Sequence, residues 1–260
     1  MIKLKSPREI GLMREAGRVV AEALEKVRSI AVPGVSTADM NQAVAEIFQH
    51  YGAVPLFKGY PSSVKGKPPF PAVICASVNE QVVHGIPNRR PLKDGDVVSV
   101  DTGCRLNGWC GDAAVTLAIG PVSPVQQKLL DVTRETLDLA VRAMGRCKSW
   151  SEVASLMERY VRSQNMAVIE KFVGHGIGRD MHEEPQVPNF VSKALKRYDI
   201  RLEPGLVLAV EPMVALGTKE VRTLDDGWTV ETRDRASSAH FEHTVAMTPE
   251  GPRVLTYLED

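Results

Sequence analysis

Two stretches of this chain, one in each half, follow the same order of turn glycine, valine-rich run and carboxylate. Residues 92–101 read LKDGDVVSVD, and residues 202–211 read LEPGLVLAVE. Asp101 and Glu211 therefore end matching apolar runs that are typical of buried strands. This duplication constrains the fold, because each half of the chain is expected to repeat one arrangement of secondary structure.

Each of these carboxylates is followed by a second one in matching surroundings. Asp112 stands in the sequence GDAAV, and Glu242 stands in the sequence FEHTV. A single acid at a strand end often faces solvent. Four acids in two matching contexts favour another interpretation, because a buried charge is costly unless a positive charge faces it. No Lys or Arg recurs at matching positions, so we expect multivalent cations among these acids.

The helix signals also repeat. Each expected helix starts at a serine with an acid or amide residue three positions later, which is the pattern of a capping box. The pairs are Ser6 with Glu9, Ser36 with Asp39, Ser123 with Gln126, and Ser149 with Glu152. The expected ends are Pro33-Gly34, about Gly52, Gly145 and, for a helix starting at Val153, about Asn165. Two such units related by a pseudo-two-fold axis predict an α+β fold in which helices pack on an antiparallel sheet, as one domain over residues 1–260.

The composition excludes several classes of protein. The chain has 260 residues, is 43% hydrophobic, and contains 32 basic and 32 acidic residues. This balance favours neither nucleic acid nor an anionic membrane as a partner, and no stretch is apolar enough to span a bilayer. The cysteines have neither the density nor the spacing of a disulfide scaffold, which predicts a cytoplasmic protein. They are Cys75, Cys104, Cys110 and Cys147.

Two polar segments are expected at the surface. Residues 62–71 are rich in proline and glycine and predict a loop that is too short to be a domain linker. The sequence from Asp225 to Trp228 predicts a hairpin turn between two strands. Neither segment suggests a domain boundary.

Three of the six histidines stand in glycine-rich or turn contexts that allow close approach of a ligand. They are His84 in VHGIP, His175 in GHGIG and His182 in MHEEP. Each alone is more often a solvated or hydrogen-bonded residue, and His50, His240 and His243 fit that interpretation better. Four carboxylates and one imidazole would suffice for a two-metal site of the kind that Mn, Fe, Co or Zn occupies in hydrolases.

With these residues in this order, the chain resembles a known family, the type I methionine aminopeptidases. The resemblance covers nearly the whole chain and rests on several motifs together. They are NEQVVHGIP at 79–87, GHGIG at 174–178, MHEEP at 181–185, EPM at 211–213, DGWT at 226–229 and SAHFEHT at 238–244. The resemblance implies a "pita-bread" α+β fold with internal pseudo-symmetry, which agrees with the repeat described above.

The resemblance also implies a role for each matching residue. Asp101 would hold one metal ion, His175 and Glu211 would hold the other, and Asp112 and Glu242 would bridge the two. The ions would activate water for attack on the scissile carbonyl, and Glu211 would move the proton. His182 would contact the carbonyl side of the scissile bond, and His84 its amide nitrogen. The implied methionine pocket comprises Tyr60, Cys75, Met181 and Trp228.

The chain departs from the family pattern at a few positions. Met181 stands where many relatives carry an aromatic residue, although a flexible thioether suits an apolar pocket. Ala113 and Ala114 follow Asp112 where relatives often have hydroxyl residues, so some hydrogen bonds around the metal ligands are expected to be missing. Cys110 replaces a residue that is often polar in relatives. The loop at 62–71 is longer than is usual in relatives, and this is expected to affect which second residue of the substrate is accepted.

The resemblance implies the N-termini of nascent polypeptides as substrates, a transient contact with the ribosome and a monomeric enzyme of bacterial type. Three alternatives stay open on the sequence. An X-Pro aminopeptidase or dipeptidase of the same fold usually carries a large N-terminal domain, whereas the catalytic pattern here starts at residue 6. A non-catalytic binding protein of this fold tends to lose ligands, and a creatinase-like hydrolase would not need both bridging acids.

Overall fold

A computed structural model describes residues 2–258 of the chain. Its helices are α1 (Pro7–Ile30), α2 (Thr37–Tyr51), α3 (Pro124–Met144), α4 (Trp150–Ser163) and the short α5 (Lys193–Arg197). The capping boxes expected at Ser6, Ser36 and Ser123 are formed, with the serine and its partner each accepting a backbone hydrogen bond. These local signals therefore fix where the first three helices begin.

The start of α4 differs from the prediction. The helix begins at Trp150 rather than Val153, and the side chain of Ser149 makes no capping hydrogen bond. The carboxylate of Asp199 accepts a hydrogen bond from the Ser151 amide instead, at 3.0 Å. The partner that satisfies this helix end is distant in sequence, so the local pattern misidentified it.

The strands form one large sheet and two small ones. They are β1 (Val54–Pro55), β2 (Cys75–Val78), β3 (Gln81–Val83), β4 (Val97–Leu106), β5 (Trp109–Ala118), β6 (Ala167–Val168), β7 (Gly174–Gly176), β8 (Glu183–Val187), β9 (Val207–Val210), β10 (Met213–Ala215), β11 (Val221–Thr223), β12 (Val230–Thr232), β13 (Ser238–His240), β14 (Glu242–Thr248) and β15 (Gly251–Val254). The large sheet has the order β1-β4-β5-β14-β9-β7-β8, with β2 also on β4 and β15 also on β14.

The order of the central strands expresses the internal repeat. Strands β4 and β5 of the first half form one antiparallel pair, and β9 and β14 of the second half form another. The two pairs meet where β5 lies beside β14. Each pair follows two long helices of its own half, α1 with α2 and α3 with α4. The predicted α+β fold with a pseudo-two-fold repeat is therefore confirmed.

Residues from both halves share one hydrophobic core. It includes Val20, Phe48, Leu137, Trp150 and Val210, which are at most 2% exposed. Burial of side chains of this size stabilises a fold by roughly 1.5–3 kcal/mol each. The single domain over residues 1–260 stays a prediction, and this continuous core supports it.

The two expected surface segments lie where the sequence places them. Residues 62–71 form no helix or strand, and the turn at 225–228 joins β11 to β12, with Thr223 opposite Val230. Among the described residues, no helix combines the length and the apolar character needed to cross a membrane.

Candidate metal centre

The register of the central sheet brings the predicted acids to one face. Asp101 on β4 lies directly opposite Ala114 on β5, and Glu242 on β14 lies opposite the same alanine. Directly opposed residues project to the same face, as do residues two apart on one strand. Asp112 therefore shares this face with Asp101 and Glu242.

The remaining predicted ligands reach this face from the other half of the sheet. His175 on β7 lies opposite Ala209 on β9, which lies opposite Thr244 on β14. Thr244 is two residues from Glu242, and Glu211 is two residues beyond Ala209. The pairing alone therefore gathers side chains from five neighbouring strands or strand ends, although they are widely separated in sequence.

The distances between these side chains suit metal binding. One ligand atom each from Asp112, His175 and Glu242 lies within 4.8 Å of the others. The Nε2 atom of His175 is 3.6 Å from Oε1 of Glu211. A cation placed among these atoms would be bound by carboxylate oxygens and one imidazole, which is a ligand set that divalent metals use in hydrolases.

Unpaired oxygens indicate that the site fits a cation. Buried carboxylate oxygens of Asp101 (Oδ1), Asp112 (Oδ1) and Glu242 (Oε1) have no hydrogen-bond partner within residues 2–258. A buried polar atom without a partner is unfavourable by about 1–3 kcal/mol, and more when it is charged. Several such oxygens on one face, with no Lys or Arg bonded to them, are best explained as ligands for positive ions.

The electrostatics of the carboxyl groups agree with this interpretation. Burial raises the pKa of Asp112 from its ordinary 3.8 to about 7. Burial is also the largest cause of the raised pKa values of Asp101, Glu211 and Glu242, and repulsion from the Asp112 charge adds to it. Divalent ions would reverse this effect and hold all four groups ionised.

His175 is oriented as a ligand. Its Nδ1 lies 2.9 Å from the backbone oxygen of Gly176, so Nδ1 carries the proton and Nε2 is left to bind a cation. Burial, followed by the charge of His182, lowers the pKa of His175 to about 4. The imidazole is therefore neutral at neutral pH, which is the form that binds metals.

His182 and His84 each contact other predicted residues of the site. The Nδ1 atom of His182 is 2.8 Å from the hydroxyl oxygen of Tyr60, and its ring lies 4.4 Å from that of His175. His84 has a positive φ of 59° and packs edge-on against Trp228, with ring centroids 6.4 Å apart. Burial, then the charge of His182, lowers the pKa of His84 to about 4. Non-glycine residues with positive φ are uncommon, and they concentrate at functional sites.

An apolar cluster that contains predicted pocket residues adjoins the acidic face. Three of the four predicted pocket residues belong to it: Cys75 and Met181 are buried there, and Trp228 is packed against it. Cys75 lies opposite Asp101 in the sheet, which brings the pocket directly beside the candidate metal ligands. Tyr60 lies outside this cluster, is 38% exposed, and reaches the site through His182.

Sequence reasoning missed two aromatic residues of the pocket. Phe57 and Phe70 are buried in the same cluster, and Phe70 packs edge-to-face on Trp228 at 5.1 Å. Phe57 precedes the proline-rich loop at 62–71 and Phe70 lies near its end, so an aromatic residue near each end of this loop was the available signal. Phe70 also supplies aromatic surface beside Met181, where many relatives were expected to have an aromatic side chain.

His240 was also misjudged from the sequence. It was expected to be an ordinary histidine, but its Nε2 lies 3.7 Å from Oε2 of Glu211 and it is only 2% exposed. His243, in contrast, points away from the acids and contacts the Thr256 hydroxyl at 2.9 Å, as expected. The alternation of side-chain directions along a strand could not be used to place His240 relative to Glu242. Phe241 separates β13 from β14, and these two strands belong to different sheets.

Near Asp112, where the chain departs from the family pattern, Thr244 supplies some of the hydrogen bonds that Ala113 and Ala114 cannot make. The hydroxyl of Thr244 donates to the Asp112 carbonyl at 2.8 Å and accepts from the Asp112 amide at 3.1 Å. A hydroxyl residue of the neighbouring strand thus fixes the backbone that Ala113 and Ala114 leave without local side-chain hydrogen bonds. Cys110 packs beneath the segment that leads to His182, with its Sγ 3.4 Å from the Arg179 carbonyl oxygen.

Sequence comparison gives the class of protein that this site belongs to. The chain matches metallopeptidase family M24 over residues 11–249, and it belongs to that family. Methionine aminopeptidase 1 of Bacillus subtilis is 44% identical over 256 residues, which cover 98% of this chain and 99% of that protein. The methionine aminopeptidase of Escherichia coli is 38% identical over 100% of this chain and 95% of that protein. The chain is therefore a metal-dependent hydrolase, and its resemblance to bacterial methionine aminopeptidases is confirmed.

Solved structures agree on the fold. The crystal structure of methionine aminopeptidase from Thermotoga maritima matches with a TM-score of 0.92 at 40% identity, covering 99% of this chain and 100% of that one. The prolidase from Pyrococcus horikoshii matches with a TM-score of 0.75 at 18% identity, covering 98% of this chain and 64% of that one. The second match concerns the fold alone. Together they confirm the pita-bread architecture.

Proposed function

We propose that this protein removes the N-terminal methionine from polypeptides and prefers a small second residue. The observation that carries the proposal is the acidic face with its unpaired buried oxygens, directly beside an apolar pocket that contains Met181 and Trp228. The first feature suits hydrolysis with divalent ions, and the second suits an unbranched thioether side chain.

The proposed ligands are the residues that share the sheet face. Asp101 would contact one ion and His175 the other together with Glu211, while Asp112 and Glu242 would contact both. Bound divalent ions supply an acidified water and polarise the scissile carbonyl. Mn, Fe, Co and Zn all accept such a ligand set.

The protein's own groups would complete the reaction. Glu211, whose Oε1 lies 3.6 Å from Nε2 of His175, would accept the proton of the attacking water and return it to the leaving amine. His182 would donate a hydrogen bond to the carbonyl oxygen, where negative charge develops. Its Nδ1 contact with the Tyr60 hydroxyl holds the ring in one orientation, so that Nε2 is left for the substrate. His84 would contact the scissile amide from the opposite side.

The methionine side chain would lie among Phe57, Phe70, Cys75 and Met181. Trp228 packs at the edge of this cluster, and it would limit the width available to the substrate side chain, which favours an unbranched residue. The proposed substrates are the N-termini of nascent chains, met in the cytoplasm by a monomer that contacts the ribosome transiently. All of these follow from the relatives rather than from a contact in this chain.

A peptide panel tests the proposal. The protein, first stripped of metal and then loaded with Mn²⁺, Fe²⁺, Co²⁺ or Zn²⁺, is assayed on Met-Ala-Ser, Leu-Ala-Ser, Met-Lys-Ser and Ala-Pro-Ser. We expect cleavage of Met-Ala-Ser alone, and only with added metal. Equal rates on Leu-Ala-Ser or Met-Lys-Ser would identify a broader aminopeptidase, cleavage of Ala-Pro-Ser would identify an X-Pro peptidase, and full activity in chelator would exclude the metal role.

A further inference from the structure

The segment between β7 and β8, residues 177–182, carries Met181 and His182 into the site. It is a bend without regular hydrogen bonding, so its shape depends on side chains that bind its backbone. One of these is Glu183, the first residue of β8. The backbone N–H groups of Arg179 and Asp180 donate to Oε1 of Glu183 at 3.0 and 3.4 Å. The Glu183 carboxylate therefore fixes the 177–182 loop from inside.

The other oxygen of this carboxylate is bound by Lys5. The Nζ atom of Lys5 lies 2.8 Å from Oε2 of Glu183, and the two side chains are only 5% and 8% exposed. Burial alone would raise the pKa of Glu183, but the hydrogen bond and charge of Lys5, with the backbone amides, lower it below its ordinary value. An exposed ion pair contributes little to a structure, whereas removal of one partner of a buried pair leaves the other charge uncompensated.

Lys5 is itself anchored to the strands that carry metal ligands. Its backbone N–H donates to the carbonyl oxygen of Gly205 at 2.7 Å, and the Gly205 N–H donates to Met247 on β14 at 2.9 Å. Gly205 has a φ of +96° and stands in the turn before β9, the strand that leads to Glu211. Lys5 therefore links this turn to the loop that carries His182.

The contact is closely packed on the remaining side. A Cβ atom added at Gly178 would lie 2.6 Å from Oε1 of Glu183 and 2.7 Å from Cε of Lys5. The Gly178 carbonyl accepts a hydrogen bond from the Cys110 N–H at 2.8 Å. A loop held in this way has little room to move unless the ion pair is broken.

We propose that Lys5 is a positioning residue for His182, acting through Glu183 and the 177–182 loop. The inference rests on the proposed function for its kinetic readout, because that function makes His182 a substrate contact. Within residues 2–258, the ammonium group of Lys5 is hydrogen-bonded to Glu183 and not to an acid of the metal centre. Loss of the Lys5 charge is expected to displace His182 while leaving the metal ligands in place. Such a displacement lowers kcat more than it lowers the affinity for metal.

The experiment is a double-mutant cycle. Lys5→Met keeps the buried stem and removes the charge, Lys5→Arg keeps a charge, and Lys219→Met removes the lysine of a half-exposed ion pair with Glu170, also 2.8 Å long. We expect Lys5→Met to lower kcat on Met-Ala-Ser by on the order of 10- to 100-fold, with unchanged Mn²⁺ affinity by calorimetry. Lys5→Arg should recover much of the rate, and Lys219→Met should not change it.

The decisive comparison uses His182→Ala. If Lys5 acts through His182, adding Lys5→Met to His182→Ala lowers kcat no further, because the effects of residues that act as a unit do not add. An equal additional loss in that background would overturn the proposal, as would a Lys219→Met variant as slow as Lys5→Met. Glu183→Gln, which keeps an acceptor for the loop amides, replaces Lys5→Met in the cycle if the latter does not fold.

A second readout does not depend on the substrate. The imidazole signals of His182, assigned by their loss in His182→Ala, are expected to shift in the NMR spectrum of Lys5→Met and to keep their positions in Lys219→Met. Unchanged His182 signals would overturn the positioning role. If the wild type does not cleave methionyl peptides while these signals do shift, the proposed function fails and the positioning role stands.

Discussion

The Nε2 atom of His240 lies 3.7 Å from Oε2 of Glu211, and no hydrogen-bond partner for this nitrogen occurs within residues 2–258. Burial, then the charge of His84, lowers the pKa of His240 to about 3. A neutral imidazole therefore faces the carboxylate that is proposed to move the proton. A small movement of Glu211 on metal binding would bring the two groups into hydrogen-bond distance.

We expect His240→Ala to weaken the site. Loss of a group that orients a metal ligand commonly lowers metal affinity or activity by roughly 10- to 100-fold. His240→Gln, which keeps an N–H donor, should retain more of both. Calorimetric titration with Mn²⁺ and kcat on Met-Ala-Ser measure the effect. His243→Ala is the matched control, because His243 is a nearby half-buried histidine that faces Thr256 instead. Equal metal affinities for the two alanine variants would contradict the role of His240.

The sequence predicted well what depends on short-range pattern. The duplicated runs ending at Asp101 and Glu211 indicated the strands and the acidic face, and the serines before the first three helices indicated where those helices start. It failed where a distant residue decides. Asp199 holds the start of α4 in place of Ser149, and His240 reaches Glu211 across a boundary between two sheets. Phe57 and Phe70 meet only because the loop between them folds back, with Gly59 donating to the Phe70 carbonyl at 2.8 Å.

In the metal-free protein, Asp112 is expected to lower the free energy of unfolding as the pH rises. Its folded-state pKa is raised from 3.8 to about 7, so between these values the folded state keeps a proton that the unfolded chain has lost. The contribution of Asp112 to the free energy of unfolding therefore falls as pH increases through this window and levels off above it. The isosteric variant Asp112→Asn lacks this contribution, and it also removes the charge that helps to raise the pKa values of Asp101, Glu211 and Glu242.

Urea denaturation in the presence of a chelator measures the difference. We expect the stability of Asp112→Asn relative to wild type to grow with pH from about 4 to about 7. Saturating Mn²⁺ should reverse the order, because only the wild type keeps the full ligand set. A difference that is independent of pH in the chelator would show that Asp112 has an ordinary pKa in the metal-free fold.

Gly85 controls the position of His84 through its lack of a side chain. A Cβ atom there would lie 2.3 Å from the backbone oxygen of Ala76, so Gly85→Ala must displace the backbone next to His84. We expect a loss of about 1–3 kcal/mol in the free energy of unfolding from the overpacking, and a drop in kcat of up to roughly 100-fold. Gly11→Ala on the exposed side of α1, where no heavy atom lies within 4 Å of the added carbon, should raise stability by about 0.8–1.0 kcal/mol without changing kcat. A Gly85→Ala variant with wild-type kcat would show that the backbone of His84 adapts without loss of function.

Two tryptophans make the same hydrogen bond in different places, and this allows a matched test of the long loop. The indole N–H of Trp228 donates to the Pro68 carbonyl of the loop at 3.0 Å, and that of Trp150 donates to the Pro188 carbonyl in the core at 2.7 Å. Replacement by Phe keeps an aromatic ring and removes the donor, so that the loss of each hydrogen bond lowers stability by about 0.5–1.5 kcal/mol.

Only Trp228 borders the proposed methionine pocket, where Phe70 packs on its ring. If the loop fixes this wall, Trp228→Phe raises KM for Met-Ala-Ser by roughly 3- to 10-fold at nearly constant kcat, because it removes binding that ground state and transition state share. Trp150→Phe should lower the melting temperature and leave KM unchanged. Steady-state kinetics of both variants test this role of the loop. A similar rise in KM in both variants would indicate general destabilisation. An unchanged KM in Trp228→Phe would show that the loop does not shape the pocket.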